Sequence, residues 1–358
     1  MGNPDIDAGK YIVNKLIQTA KKNKVHRYSA SKGIPGLRRA KAKYYERRFG
    51  VSLDPETEII TTLGSKEGLA NLASAITAPG DLVLVPNPTY PIHAYGFMIA
   101  GGTLRHIPSL ATGNFNPEDY LRNLSRAVMH SIPKPIALVV SFPSNPTAQL
   151  CDLTFYRELV RFALKHSIWI LSDLAYAEIY FDDNPPPSIL QVDGAKEIAI
   201  EFTSMSKTFS MAGWRVGFAV GNKHLINALT RIKSYLDYGA FTPVQVAAVE
   251  ALNGPPSYIE QIRNEYRRRR DTLILSMARA GWEIPEPPAT MFAWAPLPKK
   301  FETMGSMEFA KLLMIKASVA VAPGIGFGEY GEGYVRIGLV ENEHRIRQAA
   351  KSIRKLIN

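Results

Sequence analysis

The stretch from Thr203 to Arg215 reads Thr-Ser-Met-Ser-Lys-Thr-Phe-Ser-Met-Ala-Gly-Trp-Arg and places a single lysine, Lys207, among small and hydroxyl-bearing residues. Ser204 and Ser206 precede the lysine, and Arg215 follows it by eight positions. An amine in such a loop is suited to form a Schiff base with an aldehyde, while a hydroxyl and a guanidinium hold a phosphate. The pattern therefore favours a lysine that binds pyridoxal phosphate (PLP) over a solvated loop lysine beside a surface arginine.

Length and composition indicate a globular protein with two domains. The chain has 358 residues, which exceeds the usual single-domain size, and its 46% hydrophobic and 21% charged residues are ordinary for a protein with a packed core. The most apolar run, residues 136–142, has the length of a strand and is too short to cross a bilayer, so we expect no membrane partner.

The single cysteine, Cys151, excludes an internal disulfide and fits a reducing compartment. It also leaves a thiolate metal cluster without ligands, so we expect no bound metal. The first residues of the sequence, 1–10, contain no apolar signal core. Together these features predict a cytoplasmic protein.

The net charge of +11 does not by itself indicate a nucleic-acid partner. The basic residues are scattered, and the only dense run is the four arginines at 267–270, inside a segment from 257 to 279 with a strongly helical pattern. Four consecutive residues on a helix point in different directions around it and form no continuous stripe. We therefore expect a solvated helix and no nucleic acid, and we assign part of the charge to an anionic cofactor and anionic substrates.

Short apolar runs alternate with amphipathic helical stretches between residues 53 and 221, which predicts an α/β fold with a mostly parallel sheet covered by helices. Several of the runs lack polar alternation, as in strands that are buried on both faces. We assign residues 25–245 to this large, cofactor-binding domain. The seven predicted strands span residues 58–62, 82–85, 103–107, 136–142, 168–171, 199–202 and 216–220. The predicted helices include residues 65–76, 153–166 and 223–235.

The character of the sequence changes after Pro243 and predicts a smaller α+β domain, made of residues 1–24 and 246–358. Two helices form a long connection that runs to Arg279. The elements that follow are a strand near residues 291–295, a helix near 307–316, a strand at 334–339 and a closing helix at 342–357.

A second chemical feature is the segment 168–173, which ends a buried strand in Asp173 and is followed by Tyr176 three residues later. Open α/β sheets bind ligands beyond the carboxyl ends of their strands, so Asp173 is placed to meet one. A carboxylate there would pair with the pyridine nitrogen of PLP and keep it protonated. The alternative is a helix N-cap or a buried ion-pair partner.

Two turns that follow strands complete the candidate site. Asn145 would donate to the phenolic oxygen of the cofactor, a role that Tyr176 would share, although Asn-Pro is also a common turn dipeptide. Gly64 joins a strand to a helix and permits close approach of the backbone. The exposed N–H groups of Ser65 and Lys66 at the helix start would then form an anion site.

Taken together, these motifs resemble the fold type I PLP-dependent aminotransferases of class I/II. The most similar subgroup comprises the glutamate–pyruvate (alanine) aminotransferases, together with the related LL-diaminopimelate aminotransferases. The likeness extends from the Gly-Asn-Pro-Asp element at residues 2–5, through residues 28–38, to Tyr-Val-Arg-Ile at residues 334–337, and so covers essentially the whole chain. The order and the spacing of the motifs agree, which makes them specific as a set.

The resemblance implies roles for individual residues. Lys207 would be the Schiff-base lysine and the proton carrier, Asp173 the partner of the ring nitrogen, and Tyr90 the residue that stacks on the ring. Asn145 and Tyr176 would bind the ring oxygen. Ser65, Lys66, Ser204 and Arg215 would hold the phosphate, with Tyr28 reaching it from the neighbouring subunit of a homodimer. Gly64 and Ser206 complete the implied set of cofactor-binding residues.

For the substrate, the resemblance implies that Arg336 binds the α-carboxylate, assisted by Asn145 and the backbone of Gly2. A bidentate guanidinium is the natural receptor for a carboxylate, although an arginine in a Val-Arg-Ile strand ordinarily forms a cross-strand salt bridge. The implied reaction is a ping-pong transfer of an amino group between an amino acid and a 2-oxo acid, with glutamate and alanine as the expected amino acids.

Three alternatives stay open. A PLP-dependent carbon–sulfur β-lyase would use Lys207 and Asp173 in the same way, and the sequence does not separate the two activities cleanly. Within the aminotransferases, LL-diaminopimelate, aspartate and aromatic amino acids are further candidate substrates. A regulator that senses PLP is a different class, but such proteins usually append a DNA-binding domain, for which the sequence leaves no residues.

Two further expectations concern local features. Family members usually carry an N-terminal arm ahead of the Gly-Asn-Pro element, whereas this sequence begins at that element. We expect the arm to be missing, with weaker dimer packing or poorer closure over the substrate as the result. We also expect cis peptide bonds before Pro88 or Pro146, because both prolines lie in turns that would face the cofactor.

Overall fold

The computed structural model describes residues 2–109 and 115–357. Its larger sheet has seven strands, each of which corresponds to a predicted one: β1 Ile59–Thr62, β2 Leu82–Asn87, β3 Thr103–Pro108, β4 Pro135–Ser141, β5 Trp169–Asp173, β6 Ala199–Ser204 and β7 Gly217–Gly221. The order across the sheet is β1-β7-β6-β5-β4-β2-β3. The five neighbouring strands β3, β2, β4, β5 and β6 run parallel to one another, and β7 is antiparallel to both β6 and β1. The expectation of a mostly parallel sheet is confirmed.

The strands of this sheet are buried on both faces. Every residue of β2 is buried, and its side chains alternate between two separate cores. Val83 and Val85 pack in one apolar cluster, while Leu84 packs in another on the opposite face. Because both faces are apolar, the sequence of such a strand has no polar alternation, which is the pattern seen in the sequence.

Helices cover the two faces and connect the strands. In chain order they are α1 Lys10–Ala20, α2 Pro35–Phe49, α3 Ser65–Ile76, α4 Ile92–Ile99, α5 Pro117–Met129, α6 Leu153–His166, α7 Ala195–Ile198, α8 Met205–Thr208, α9 Lys223–Leu236, α10 Thr242–Leu252, α11 Pro256–Arg279, α12 Ser306–Leu312 and α13 Glu343–Ile357. Local signals set several ends: the Asp152 carboxylate accepts the N–H of Phe155 at 2.8 Å and caps α6. A π-helical turn, Leu313–Ala317, continues α12, so the predicted helix 307–316 is present in two parts.

The smaller sheet has three strands, β8 Phe292–Pro296, β9 Ala322–Pro323 and β10 Tyr334–Gly338, in the antiparallel order β8-β10-β9. It packs with α11 and α13 around a second core that includes Trp282, Phe309 and Ile353. The expected α+β character of this part is therefore observed.

The predicted division of the chain at residues 24 and 246 stays a proposal, and residues 1 and 358 at its outer bounds lie outside the described part. Packing shows that Ile12 of α1 and Leu252 of α10 contribute to a core of the larger sheet. The helix α11, which starts at Pro256, contributes Ile262 and Tyr266 to the core of the smaller one.

The expectation of a solvated arginine run is wrong for two of its four residues. The side chains of Arg269 and Arg270 are only 5% and 6% exposed, whereas that of Arg268 is 62% exposed. Arg269 pairs with Asp5, and the guanidinium of Arg270 lies 4.7 Å from the centre of the Phe181 ring. The helix is present as predicted, but its neighbours in the fold bury one side of it.

Across residues 2–109 and 115–357 no helix combines the length and the apolar character needed to cross a membrane. The same residues contain no cluster of three or more histidine, cysteine, aspartate or glutamate side chains arranged to hold a metal ion.

Candidate active site

All strands of the larger sheet except β7 end at the same edge, and the predicted side chains follow these ends. Asp173 is the last residue of β5, and Lys207 lies three residues after the end of β6. Gly64, Tyr90 and Asn145 follow the ends of β1, β2 and β4 within a few residues. Because carboxyl ends of parallel strands form the usual ligand edge of an α/β sheet, the fold brings the predicted residues together.

Lys207 lies in the short helix α8, directly after β6. Ser204 starts this helix, and its hydroxyl accepts the N–H of Ser206 at 3.1 Å. The Nζ of Lys207 donates to the carbonyl of Gly2 at 3.2 Å. Burial, and then the positive charges of Arg336 and Arg215, lower the pKa of Lys207 to about 8. A substantial share of this amine is therefore neutral slightly above neutral pH.

Asp173 is buried and is oriented by a histidine that the sequence analysis did not single out. The Nε2 of His93 lies 2.9 Å from Oδ2 of Asp173, and its Nδ1 lies 2.7 Å from the hydroxyl of Thr89. His93 is completely buried, and the N–H of Ala175 donates to the other oxygen of Asp173 at 3.2 Å. The alternative of a buried partner for Asp173 is thus met by a hydrogen bond to His93, and the carboxylate still lies at the ligand edge of the sheet.

The position of His93 gave one signal in the sequence. It follows Tyr90 by three residues and lies in the first turn of α4. The rings of Tyr90 and His93 meet edge to face with centroids 5.9 Å apart. A helix predicted at 92–99 would have pointed to the histidine, but the apolar run there is too short to indicate a helix by itself.

Arg336 joins the two sheets. It lies on β10, and its Nη1 donates to Oδ1 of Asn145 at 2.6 Å, across 191 positions of sequence. Its direct neighbours across the strands are Trp294 and Ala322, neither of which is acidic. The ordinary explanation of a cross-strand salt bridge is therefore wrong for Arg336.

Two phenylalanines that the sequence analysis missed hold the guanidinium of Arg336 between them. Its Cζ lies 4.0 Å from the ring centre of Phe292 and 4.6 Å from that of Phe327. Aromatic faces attract a cation and restrict a planar guanidinium to the gap between them. Burial lowers the pKa of Arg336 from its ordinary value, and the nearby hydroxyls of Tyr176 and Tyr90 oppose that shift. The arginine stays charged in a partly dry site.

Gly64, Gly217 and Arg215 shape the start of α3. Gly64 has a φ of +88°, and a Cβ there would lie 2.2 Å from Nη2 of Arg215. A Cβ on Gly217 would lie 2.7 Å from the backbone N of Ser65. The helix has no side-chain cap, so its first amides have no acceptor from an N-cap residue. Uncapped amides at a helix start beside a guanidinium form an anion site.

Arg215 itself is held by the backbone. Its Nη1 donates to the carbonyl of Ala212 at 2.8 Å, and its Nη2 donates to the carbonyl of Leu63 at 3.1 Å. The second contact ties the loop of Lys207 to the turn before α3. The exposed side chain of Lys66 lies on the first turn of the same helix.

Tyr90 and Tyr176 lie between the acidic and basic groups of the site. Burial and the charge of Asp173 raise the pKa of Tyr90, and the two nearby arginines act in the opposite direction. Burial raises the pKa of Tyr176 above its ordinary value, and its ring packs against that of Phe292. Both phenols therefore stay protonated and can donate a hydrogen bond.

Two further predictions concern the prolines in the turns of the site and the position of Tyr28. The peptide bonds before Pro88 and Pro146 are both cis, as expected. The side chain of Tyr28 is 84% exposed, and its ring packs at a tilt of 33° against that of Tyr238, with ring centres 4.5 Å apart. The described contacts of Tyr28 are thus with the surface and not with the groups around Lys207.

The donor set fits a phosphate-bearing aldehyde. The amine of Lys207 has a lowered pKa, and the Gly64 turn leaves helix amides open beside a guanidinium. Asp173 supplies a buried carboxylate that a protonated ring nitrogen would satisfy. Arg336 supplies a separate receptor for a carboxylate.

Known proteins of one family resemble this chain along most of its length. Residues 1–353 match the family model described as aminotransferase class I and II. The chain is 63% identical to AatC of Rhizobium meliloti (strain 1021) over 358 residues, which cover 100% of this chain and 87% of the relative. It is 50% identical to the glutamate-pyruvate aminotransferase AlaC of Escherichia coli (strain K12), with 99% of this chain and 85% of the relative covered.

The fold also matches solved structures. The apo structure of BacF from Bacillus subtilis superposes with a TM-score of 0.94 at 35% sequence identity. The match covers 100% of this chain and 93% of that one. The predicted fold type is therefore confirmed.

Proposed function

Since the chain belongs to the class I and II aminotransferases, which use PLP, we propose that it transfers an amino group between glutamate or alanine and a 2-oxo acid by a ping-pong mechanism. The name of the Escherichia coli relative supports this choice of substrates. LL-diaminopimelate, aspartate and aromatic amino acids are the alternatives within the same reaction.

One observation carries the proposal: an amine and a guanidinium that suits a carboxylate are electrostatic neighbours, although they come from different sheets. Lys207 follows a strand of the larger sheet, and Arg336 lies on the smaller one. The charge of Arg336 contributes to the lowered pKa of Lys207, so the two groups are electrostatic neighbours. An α-amino acid carries an amine and a carboxylate on one carbon, which matches this pair.

When bound, the cofactor supplies an aldehyde that condenses with amino groups and a ring that accepts electrons from the substrate's Cα. We propose that Asp173, oriented by His93, pairs with the ring nitrogen, and that Tyr90 stacks on the ring. Asn145 and Tyr176 would face the ring oxygen. The proposed phosphate site comprises Gly64, Ser65, Lys66, Ser204, Ser206 and Arg215.

In this proposal Lys207 moves the proton. With the cofactor bound, the neutral amine of Lys207 would accept the proton from the substrate's Cα. Burial and two neighbouring guanidiniums favour the neutral amine, which is the form that accepts a proton. Arg336 holds the α-carboxylate, and the Gly2 carbonyl lies close to the Nζ of Lys207.

The first test removes the amine. We expect Lys207→Ala to lose at least about a thousandfold in transamination rate, because general acid–base and nucleophilic roles are lost together. The measurement is the rate of 2-oxoglutarate formation from glutamate and pyruvate with added PLP. Lys223→Ala, which alters an exposed lysine at the start of α9, is the control and should keep full activity. Near-normal turnover by Lys207→Ala would refute the assignment.

The second test separates amino transfer from the β-lyase reaction. We expect glutamate alone to convert the PLP form of the enzyme into its pyridoxamine form, with one equivalent of 2-oxoglutarate released per site. The absorbance of the cofactor reports the change. Release of ammonia and pyruvate from cystathionine, without conversion by glutamate, would instead establish the lyase. A panel of amino donors then ranks glutamate and alanine against the alternatives.

We also propose a homodimer. Several large side chains between residues 235 and 241 are exposed, and Tyr28 packs against one of them, Tyr238. We call this set the tyrosine patch: Tyr28 is 84% exposed, Tyr235 79%, Leu236 61%, Tyr238 62% and Phe241 44%. A cluster of exposed aromatic residues of this kind is typical of a protein–protein contact. A second copy of the chain is the proposed partner, and Tyr28 would reach the phosphate site of that copy. The cytoplasm is the proposed location.

A further inference from the structure

The segment 2–9 runs over the candidate site without forming a helix or strand. At one end the carbonyl of Gly2 accepts from the Nζ of Lys207 at 3.2 Å. Gly2 also lies directly on Phe292, because a Cβ there would be 2.3 Å from the ring. Backbone hydrogen bonds of a regular element do not fix this segment, so side-chain contacts must hold it in place.

The strongest such contact is a bidentate ion pair between Asp5 and Arg269. The Nη1 of Arg269 donates to Oδ1 of Asp5 at 2.6 Å, and its Nη2 donates to Oδ2 at 2.9 Å. The Arg269 side chain is 5% exposed and the Asp5 side chain 39% exposed. A planar guanidinium fixes a carboxylate in both position and direction when it binds both oxygens.

Arg269 has further contacts near the end of β10, the strand that carries Arg336. Its Nη1 also donates to the carbonyl of Leu339 at 3.1 Å, and its Nε donates to Glu265 at 2.9 Å. Leu339 directly follows β10, three residues after Arg336, and its N–H donates to the carbonyl of Met291 at 2.9 Å. One buried side chain therefore contacts both the segment over Lys207 and the end of the strand that carries Arg336.

The neighbouring arginines show that these contacts are specific to position 269. Arg270 is equally buried, yet it pairs with Asp271 and Glu286 and lies over Phe181, away from the N-terminal segment. Arg268 is mostly exposed and pairs with Glu265 and Glu343. Helical geometry points consecutive side chains in different directions, so only one member of the run reaches Asp5.

We propose that Arg269 is a positioning residue for the substrate site: its pair with Asp5 acts as a latch that holds residues 2–9 over Lys207 while fixing the end of the Arg336 strand. This inference rests on the proposed function, because it assumes that Lys207 and Arg336 bind an amino acid. Opening the latch would release the Gly2 carbonyl from Lys207 and loosen one wall of the carboxylate site. Substrate binding would suffer more than the chemical step.

The test compares Asp5→Asn with Asp7→Asn. Both variants remove one negative charge from the same exposed segment, but the Asp7 carboxylate forms no ion pair with the residues that the structure describes. With the PLP-loaded protein, we expect Asp5→Asn to raise the KM for glutamate about tenfold and to change kcat less than about threefold. Asp7→Asn should match the unmodified protein, and Asp5→Glu should restore part of the affinity.

A second readout does not depend on activity. Hydrogen exchange followed by mass spectrometry should show at least about tenfold faster exchange in residues 2–9 of Asp5→Asn than in the same residues of Asp7→Asn, because the latch no longer limits local opening. Arg269→Lys should give the same pattern, since a lysine cannot bind both oxygens. If Asp5→Asn and Asp7→Asn agree in both exchange and KM, the latch does not exist.

The two proposals fail in distinguishable ways. Absence of transamination by the unmodified protein would defeat the proposed function, whatever the exchange of residues 2–9. An active unmodified enzyme whose Asp5→Asn variant has loosened residues 2–9 but an unchanged KM would defeat the positioning role alone.

Discussion

Lys207 differs from an ordinary surface lysine by its surroundings rather than by its chemistry. Burial removes water from the ammonium form, and Arg336 and Arg215 add repulsion, so all three causes lower its pKa to about 8. The downward direction of this pKa shift favours the neutral amine. Below the pKa the amine is mostly protonated and unable to accept a proton, and above it the neutral form predominates. The ordinary lysine pKa is about 10.4.

This difference predicts a specific labelling pattern. In the cofactor-free protein, acylation of Lys207 by a brief pulse of an amine reagent should rise with pH to a midpoint near 8. A lysine in a short unstructured peptide, added as the reference, should show a midpoint near the ordinary lysine pKa of about 10.4. Peptide mass spectrometry measures both sites in one sample. A shared midpoint for the two lysines would contradict the lowered pKa.

Among single residues, the sequence identified those whose chemical role is visible in a local motif. Lys207, Asp173 and Gly64 each end or follow an apolar run, and their types alone suggested their chemistry. His93, Phe292 and Phe327 were missed because their importance arises from partners far along the chain. Asp173 lies 80 positions from His93, and no local sequence pattern predicts contact between residues so far apart.

Among the elements, the strands and the helix α11 were predicted closely, whereas the burial of two arginines on α11 was not. Continuous apolar runs such as β2 and β4 are typical of strands buried on both faces, and the structure has them within two residues of the predicted bounds. The run at 267–270 is predicted to be solvated because four consecutive side chains point in different directions around a helix, and the local sequence does not show what packs against them. Its partner Asp5 lies 264 positions from Arg269, so the burial was invisible from the sequence.

The turn between β1 and α3 provides a test at this scale. Gly64→Ala should destabilise the protein by about 1–2 kcal/mol, because alanine is strained at positive φ, and its Cβ would displace the guanidinium of Arg215. We also expect at least about a tenfold loss of PLP affinity as the anion site deforms. Denaturant unfolding and a cofactor titration measure the two effects.

Gly36→Ala is the matched control for this change. Gly36 lies in the first turn of α2, and a Cβ there would meet open space. Alanine favours a helix over glycine by up to about 1 kcal/mol, so the control should be neutral or slightly more stable. Equal behaviour of the two variants would show that the Gly64 turn is not a constrained site.

At the scale of the whole molecule, the sequence predicted two sheets with different topologies but not how they meet. The hydrogen bond between Asn145 and Arg336 links a turn of the larger sheet to a strand of the smaller one. The backbone adds a second link, since the N–H of Thr89 donates to the carbonyl of Phe327 at 2.9 Å. Such contacts depend on how the two sheets and their helices pack against each other, and local patterns in one sequence do not predict that packing.

The proposed dimer is also tested at this scale. Tyr238→Asp places a charge in the centre of the tyrosine patch and should weaken association by about 2–4 kcal/mol, as expected when an aromatic anchor is lost. Light scattering after size-exclusion chromatography should then report a monomer at micromolar concentration. Ile315→Asp, at a side chain that is 71% exposed on the smaller unit, should leave the mass unchanged. A monomeric unmodified protein would refute the dimer.

The guanidinium of Arg336 is bounded by two rings and by Asn145, so it has little freedom to follow a ligand that fits badly. In the proposed reaction this guanidinium would hold the α-carboxylate while the Lys207 nitrogen accepts a proton from the adjacent carbon. A β-amino acid would place an extra methylene between its carboxylate and its amino-bearing carbon. A carboxylate receptor with so little freedom would therefore disfavour β-amino acids, whatever side chain they carry.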